Sequence, residues 1–273
     1  MAILRGHIST GERITGTKMP NKSLGQHWLQ DRQILSAIAD EAAIDVMDTV
    51  LEIGPGQGAL TSILLSRAEK VVAVEFDSEL AKKIPGQFPG KNLEVINNDI
   101  LQFDLSNLPN GYKVVANVPY YITSKIVQKL MTADNKPSVA VLLVQKEVAE
   151  RIAAKQGDMS ILAISAQVYA DVSLGIEVPA EFFTPPPKVD SQVVILKTRD
   201  QPLIPRELEK EFFRVVKAGF SEKRKKLRSS LSGGLGTDKK QTESMFSTLG
   251  IDLDLRAQDL DIEQWVEITK ARK

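Results

Sequence analysis

The sequence predicts an α/β fold, a mostly parallel sheet with helices on both faces, followed by a small all-α domain. Three observations carry this reading. Short apolar runs rich in Val, Ile and Leu recur at 50–53, 71–75, 93–97, 113–117 and 139–144, with helical periodicity between most of them. The first run enters a glycine-rich turn, Gly54-Pro55-Gly56-Gln57-Gly58, that opens a helix. Beyond Asp200-Gln201-Pro202-Leu203-Ile204-Pro205 the alternation stops and the pattern is helical, because two prolines so close together interrupt regular structure.

In chain order, residues 1–20 carry Gly, Thr and scattered basic side chains without periodicity, and read as a flexible extension before a domain at 21–199. Asp31 can cap a helix whose Ile34, Leu35, Ile38, Ala39 and Ala42 share one face. Further helices are expected at 59–67, 78–84, 123–131, 146–154 and 160–169. Val172 to Val178 and Gln192 to Lys197 alternate like late strands, candidates for an antiparallel pair. In the final domain, 200–273, Phe212, Phe213, Val216 and Phe220 share a helix face. Ser232-Gly233-Gly234-Leu235-Gly236 should break it, leaving two or three short helices.

The 273 residues hold 35 basic and 35 acidic side chains, so any nucleic-acid site must be a local patch. Zero cysteines exclude a disulfide framework and thiolate metal sites, and fit a reducing, cytoplasmic location. Two histidines, His7 and His27, leave no basis for a histidine metal cluster, and no metal is expected. No stretch has the length and apolarity of a membrane span, and the N-terminus lacks an apolar signal core.

The glycines let the backbone turn sharply and lie close to a ligand. The next strand ends in Glu75, where a carboxylate can hold ribose hydroxyls. The spacing is not that of a dinucleotide fingerprint, since Ala59 stands where the last glycine would be. This favours S-adenosylmethionine, which has a ribose but no pyrophosphate; a plain tight turn is the alternative. Asp99, closing the third strand, can accept from a bound adenine's amine or simply cap a turn. Ile100 can lie against that ring or in the core.

Asn117-Val118-Pro119-Tyr120 follows the strand at 113–117 and is the sharpest signal. The Asn117 side-chain oxygen and the Val118 carbonyl can both accept from an amino group conjugated to a ring, such as adenine N6. That favours a pyramidal, more nucleophilic nitrogen as the transition state forms. Tyr120 can stack on the base. The bland alternative is an Asx-Pro turn.

With these residues the chain resembles the rRNA adenine N6,N6-dimethyltransferases, the KsgA family. The resemblance is carried by Lys22-Ser23-Leu24-Gly25-Gln26-His27-Trp28-Leu29, Glu52-Ile53-Gly54-Pro55-Gly56, Glu75, Asp99, Asn117-Val118-Pro119-Tyr120, Gln145-Lys146-Glu147-Val148-Ala149-Glu150-Arg151 and Phe183-Thr184-Pro185-Pro186-Pro187-Lys188-Val189-Asp190-Ser191. It implies a class I S-adenosylmethionine-dependent methyltransferase fold with a Rossmann-like, mostly parallel seven-stranded sheet. It assigns His27, Leu29, Gly54, Glu75, Asp99 and Asn117 to the donor site. Asn117, Val118, Tyr120 and Phe183 go to the target site, with Phe183 as the second aromatic wall and Phe182 in the core. The family often has Asn at the position of His27, Phe at Trp28 and Leu at Val118. The implied substrate is a pair of adjacent adenosines in the 3′-terminal hairpin loop of 16S rRNA, met by a monomer within a small-subunit assembly intermediate.

Residues 214–228 hold seven basic side chains against Glu222 alone, which reads as a phosphate-binding footprint or a solvated helix face. Lys223, Arg224, Lys225, Lys226 and Arg228 are its core, with Lys146 and Arg151 as further RNA candidates. Three other readings stand: a large-subunit rRNA methyltransferase of the antibiotic-resistance type, a DNA adenine methyltransferase, and an assembly factor whose catalysis is secondary.

Overall fold

The computed structural model describes residues 27–272; the expected extension at 1–20 and the motif residues 22–26 lie outside them. The elements run β1 (Trp28–Leu29), α1 (Arg32–Asp40), β2 (Thr49–Ile53), α2 (Ala59–Leu64), β3 (Lys70–Glu75), α3 (Ser78–Gln87), β4 (Leu93–Asn97), β5 (Lys113–Asn117), α4 (Thr123–Thr132) and β6 (Val139–Gln145). They continue with α5 (Lys146–Ile152), α6 (Ile161–Gln167), β7 (Ala170–Val178), β8 (Phe183–Thr184), β9 (Ser191–Thr198), α7 (Glu209–Gly219), α8 (Leu227–Leu235), α9 (Lys239–Leu249) and α10 (Ile262–Lys270).

Seven strands form one sheet in the order β4-β3-β2-β5-β6-β9-β7. The pairings from β4 to β6 are parallel; β9 runs antiparallel to both β6 and β7. Strands covered on both faces need apolar side chains in both directions, which is why the central runs are nearly continuous in Val, Leu and Ala. Leu51, Ile53, Val114, Ala116 and Leu142 face one side, and Val50, Val71, Val115, Val141 and Leu143 the other. Asp31 caps α1 as expected, its carboxylate accepting from the Gln33 and Ile34 N–H groups.

The first core face continues without interruption into the C-terminal helices through Phe212, Val216, Phe246 and Trp265. The proline-flanked segment is accordingly packed down: Ile204 is buried, and the Leu203 N–H donates to the Val168 carbonyl at 2.9 Å. The described part of this region holds four α-helices, more than the sequence suggested. Gly233 and Gly234 do not break α8. A Cβ on Gly234 would sit 2.8 Å from the Ala218 Cα on α7, so this glycine serves the close approach of two helices. The break comes at Gly236, in the left-handed region at φ +64°.

Two expectations reverse at the aromatic pair. Phe182, expected in the core, is 40% exposed, and Phe183, expected in the cleft wall, is 2% exposed. β8 pairs antiparallel with β1, setting Phe183 opposite Leu29, and this places Phe183 in the core with Leu29, Leu35 and Leu60.

Candidate active site

Strand order reverses at β2, which has β3 on one side and β5 on the other, and ligands of open α/β sheets bind where this happens. The register shows why a cleft opens there. β2 stays paired to β3 as far as Ile53, and β5 to β6 as far as Asn117. Between β2 and β5 the ladder ends at Leu51–Val114. The sheet therefore parts at the carboxyl ends of these two strands, beneath the glycine turn and the Asn117 segment. The cleft encloses about 900 Å³ including its open mouth.

On the β2 side, Gly54, Gly56 and Gly58 all have positive φ, +67°, +59° and +83°. A Cβ on Gly54 would meet no protein atom within 4 Å, so that glycine is required by its φ and by room beside the turn rather than by packing. Glu75 holds the turn from the neighbouring strand. One carboxylate oxygen accepts from the Gly56 N–H at 3.1 Å and the other from the Asp77 N–H at 2.8 Å. Burial pushes its carboxyl above the usual range, against the opposing pull of these N–H donors. Each oxygen keeps a lone pair for a ligand hydroxyl.

On the β5 side, the Asn117 side-chain Nδ2 donates to the His27 carbonyl at 3.3 Å. That contact anchors the amide through one of its two N–H groups, and no hydrogen bond among the described residues takes the Oδ1 acceptor. The Val118 N–H donates to the Leu143 carbonyl, while no hydrogen bond among the described residues takes the Val118 carbonyl. The Tyr120 hydroxyl is bonded to the buried Ser191 Oγ at 2.7 Å, and burial raises its pKa above the ordinary phenol value. The ring facing Tyr120 is not Phe183 but His27, stacked at 5.7 Å between centroids with 17° between planes. The His27 ring is held by Nδ1–H donating to the Pro185 carbonyl at 2.7 Å, since a carbonyl can only accept.

The structure thus brings His27, Leu29, Gly54, Glu75, Asn117, Val118 and Tyr120 around one cleft. Phe183 and Asp99 are not among its lining residues. One Asp99 oxygen accepts from the Leu101 N–H at 2.9 Å, the turn-capping role.

Sequence reasoning missed Phe76 and Tyr121, exposed aromatics on the cleft, and above all Glu52. Glu52 is buried, with the Thr61 hydroxyl donating to its Oε2 at 2.6 Å. Burial pushes its carboxyl up to about 8, with the nearby Glu75 charge adding to the rise and the Thr61 contacts opposing it. The signal was a carboxylate within a buried central strand. The folded chain keeps a proton that the unfolded chain releases above about pH 4.5, so this group withdraws stability as pH climbs from there to about 8. Glu52→Gln should therefore stabilise the protein by about 2–4 kcal/mol at pH 8 and by little at pH 5. Denaturation midpoints of both proteins at both pH values measure this, and a pH-independent difference would contradict it.

Glu52 and Glu75 are the acidic residues of the described lining, which holds no Lys or Arg; Glu52 keeps its proton to about pH 8. A lining with acidic side chains and no Lys or Arg suits a ligand that brings positive charge and disfavours a pyrophosphate. S-adenosylmethionine, a sulfonium with an ammonium group and a ribose, fits this chemistry.

The basic run is more self-paired than its sequence implied. Lys225 pairs with Glu222, Lys226 with Asp254, and Arg228 with both Glu243 and Asp254. Arg214 is bound by Glu211, and Lys146 by Glu177 at 2.8 Å. Lys217, Lys223, Arg224 and Arg151 form no ion pair with the described residues.

Comparison with known proteins agrees with this geometry. The sequence model described as ribosomal RNA adenine dimethylase matches residues 18–273. A protein of Desulfitobacterium hafniense named ribosomal RNA small subunit methyltransferase A is 41% identical over 262 residues, 94% of each chain. One of the same name from Dehalococcoides mccartyi is 40% identical over 92% of this chain and 88% of its own. Among solved structures, a dimethyladenosine transferase from Plasmodium falciparum superposes with a TM-score of 0.77 at 29% identity, covering 89% of this chain and 96% of that one. The 23S rRNA methyltransferase ErmE does so at 0.74 and 28%, covering 89% and 98%. The fold is that of a class I S-adenosylmethionine-dependent methyltransferase, and the chain belongs to the ribosomal RNA adenine dimethylase family.

Proposed function

We propose that this chain transfers methyl groups from S-adenosylmethionine to N6 of two adjacent adenosines in the 3′-terminal hairpin loop of small-subunit rRNA, twice per base. It acts as a cytoplasmic monomer on a small-subunit assembly intermediate. The names and the near-complete overlap of the curated relatives support the small subunit as substrate. The observation that carries the chemistry is the Asn117 amide, anchored through Nδ2 to the His27 carbonyl, with neither its oxygen nor the Val118 carbonyl taken by a hydrogen bond among the described residues.

The bound donor supplies an electrophilic methyl on its sulfonium. Glu75 would hold the ribose and Gly54 would pass its backbone close beneath; Asp99, outside the cleft lining, would accept through its second oxygen only from an adenine that extends past Glu75. In the target pocket, Asn117 Oδ1 and the Val118 carbonyl would accept the two N6 hydrogens in the first transfer, and one of them the remaining hydrogen in the second, drawing the nitrogen lone pair out of the ring. Tyr120, fixed through Ser191, would stack on an extruded base. The N6 lone pair would take the methyl as the carbon–sulfur bond breaks, its electron pair staying on sulfur to leave S-adenosylhomocysteine, and a proton would leave N6 to solvent afterwards, so no strong base is needed. Catalysis comes from positioning and fixed dipoles.

The test is mass analysis of rRNA after purified small or large subunits are incubated with the protein and labelled donor. Two methyl groups on each of two adjacent small-subunit adenosines are expected. Label confined to large-subunit RNA would replace this reading with the rival.

For RNA, Lys223 and Arg224 are the favoured phosphate contacts, because their charges are not spent internally. Lys223→Ala with Arg224→Ala should leave donor affinity unchanged and lower the log–log salt slope of RNA binding by about 1.5. An unchanged slope would move the interface elsewhere.

A further inference from the structure

We infer that the Trp28 indole N–H is a hydrogen-bond donor reserved for the bound methyl donor, and that it serves the carboxylate of the donor's amino-acid tail. This rests on the donor reading above.

Trp28 lies in β1 and lines the cleft beside the glycine turn. A Cβ on Gly56 would be 3.6 Å from both its Cδ1 and its Nε1, so the N–H edge of the indole lies along that turn. Nε1 is shielded from solvent and has no hydrogen-bond partner among the described residues. A buried donor without an acceptor is costly, and one that persists at a cleft wall calls for an acceptor supplied from elsewhere. Looseness does not explain it: Trp28 is registered against Thr184, and the preceding His27 is tied to Pro185.

Of the neighbouring groups, the Gly56 N–H is held by Glu75, the Gly58 N–H by the Pro55 carbonyl, and the Gln57 Oε1 accepts from Gln30 Nε2. Charge then selects which part of the donor Trp28 takes. S-adenosylmethionine brings two positive centres and one carboxylate into a cleft lined by Glu52 and Glu75. The positive centres enter a lining with two acidic side chains, but among the described lining residues there is no Lys or Arg for the anion. An indole N–H can bind a carboxylate without adding a cation that would repel the sulfonium.

The experiment compares wild type with Trp28→Phe, which keeps the aromatic ring and removes the N–H. Affinities are measured by calorimetry for S-adenosylmethionine, S-adenosylhomocysteine and 5′-methylthioadenosine, which lacks the amino-acid tail. The variant should bind the first two about tenfold to a hundredfold more weakly and the third as tightly as wild type. Nitrogen-15 NMR of the wild-type protein reads the same bond without any substitution. Of its two tryptophan indole resonances, one should move downfield with S-adenosylhomocysteine and stay in place with 5′-methylthioadenosine. Equal affinities in the variant, an equal loss for all three ligands, or an indole resonance indifferent to the tail would each overturn the inference. Failure of wild type to bind S-adenosylmethionine at all would instead overturn the donor reading, and this inference with it.

Discussion

Asn117→Ala should lower the rate of methyl transfer at saturating donor and RNA by about a thousandfold, with a change of less than about tenfold in donor affinity. The side chain contributes an acceptor that matters most when N6 becomes pyramidal, so its loss falls on the chemical step. Asn117→Asp separates the two ends of the amide. Aspartate retains an acceptor oxygen but loses the Nδ2–H that holds the His27 carbonyl, setting two acceptors against each other at about 3.3 Å. It should recover part of the rate, less than wild type. Single-turnover kinetics with a short RNA hairpin separate this from an RNA-binding defect. Turnover like wild type in Asn117→Ala would remove the amide from the mechanism.

Glu75→Ala should weaken donor binding by about a hundredfold, the second large effect. Two consequences combine in one substitution. The carboxylate that would accept from the ribose is lost, and so is the acceptor that pins the Gly56 N–H under the ligand. Charge-assisted hydrogen bonds of this kind contribute about 1.5–3 kcal/mol each, so a hundredfold loss requires one or two of them. Glu75→Gln, which keeps a carbonyl acceptor, should fall between. Calorimetry with S-adenosylhomocysteine measures this without turnover, and an unchanged affinity would take Glu75 out of the donor site. The same substitution removes a negative charge near Glu52, so the Glu52 carboxyl should titrate lower in Glu75→Ala.

Much of this architecture was legible in the residues, for physical reasons that also mark where legibility ended. The central strands announced themselves because burial on two faces demands unbroken apolar runs, and the structure starts or ends them within a residue or two of the sequence reading. Asn117-Val118-Pro119-Tyr120 was legible because an amide, a proline and an aromatic at a strand's end rarely serve packing. The β1–β8 ladder was invisible: two residues carry no periodicity, and the partners lie far apart in sequence. Phe182 and Phe183 were exchanged for the same reason, because which of two adjacent aromatics turns inward depends on that unseen pairing. The basic run was overread because its counter-charges come from elsewhere, Glu243 in α9 and Asp254 beyond it. Glu52 passed unremarked inside its motif, since sequence does not show that the ladder beside it stops at Leu51 and opens a cleft.

The most direct measurement of the central claim is a crystal structure with S-adenosylhomocysteine and adenosine bound together. The account predicts N6 within hydrogen-bonding distance of both Asn117 Oδ1 and the Val118 carbonyl, with the adenine ring against Tyr120 and N6 turned toward the donor sulfur. An adenosine bound elsewhere, or one whose N6 meets neither oxygen, would contradict it.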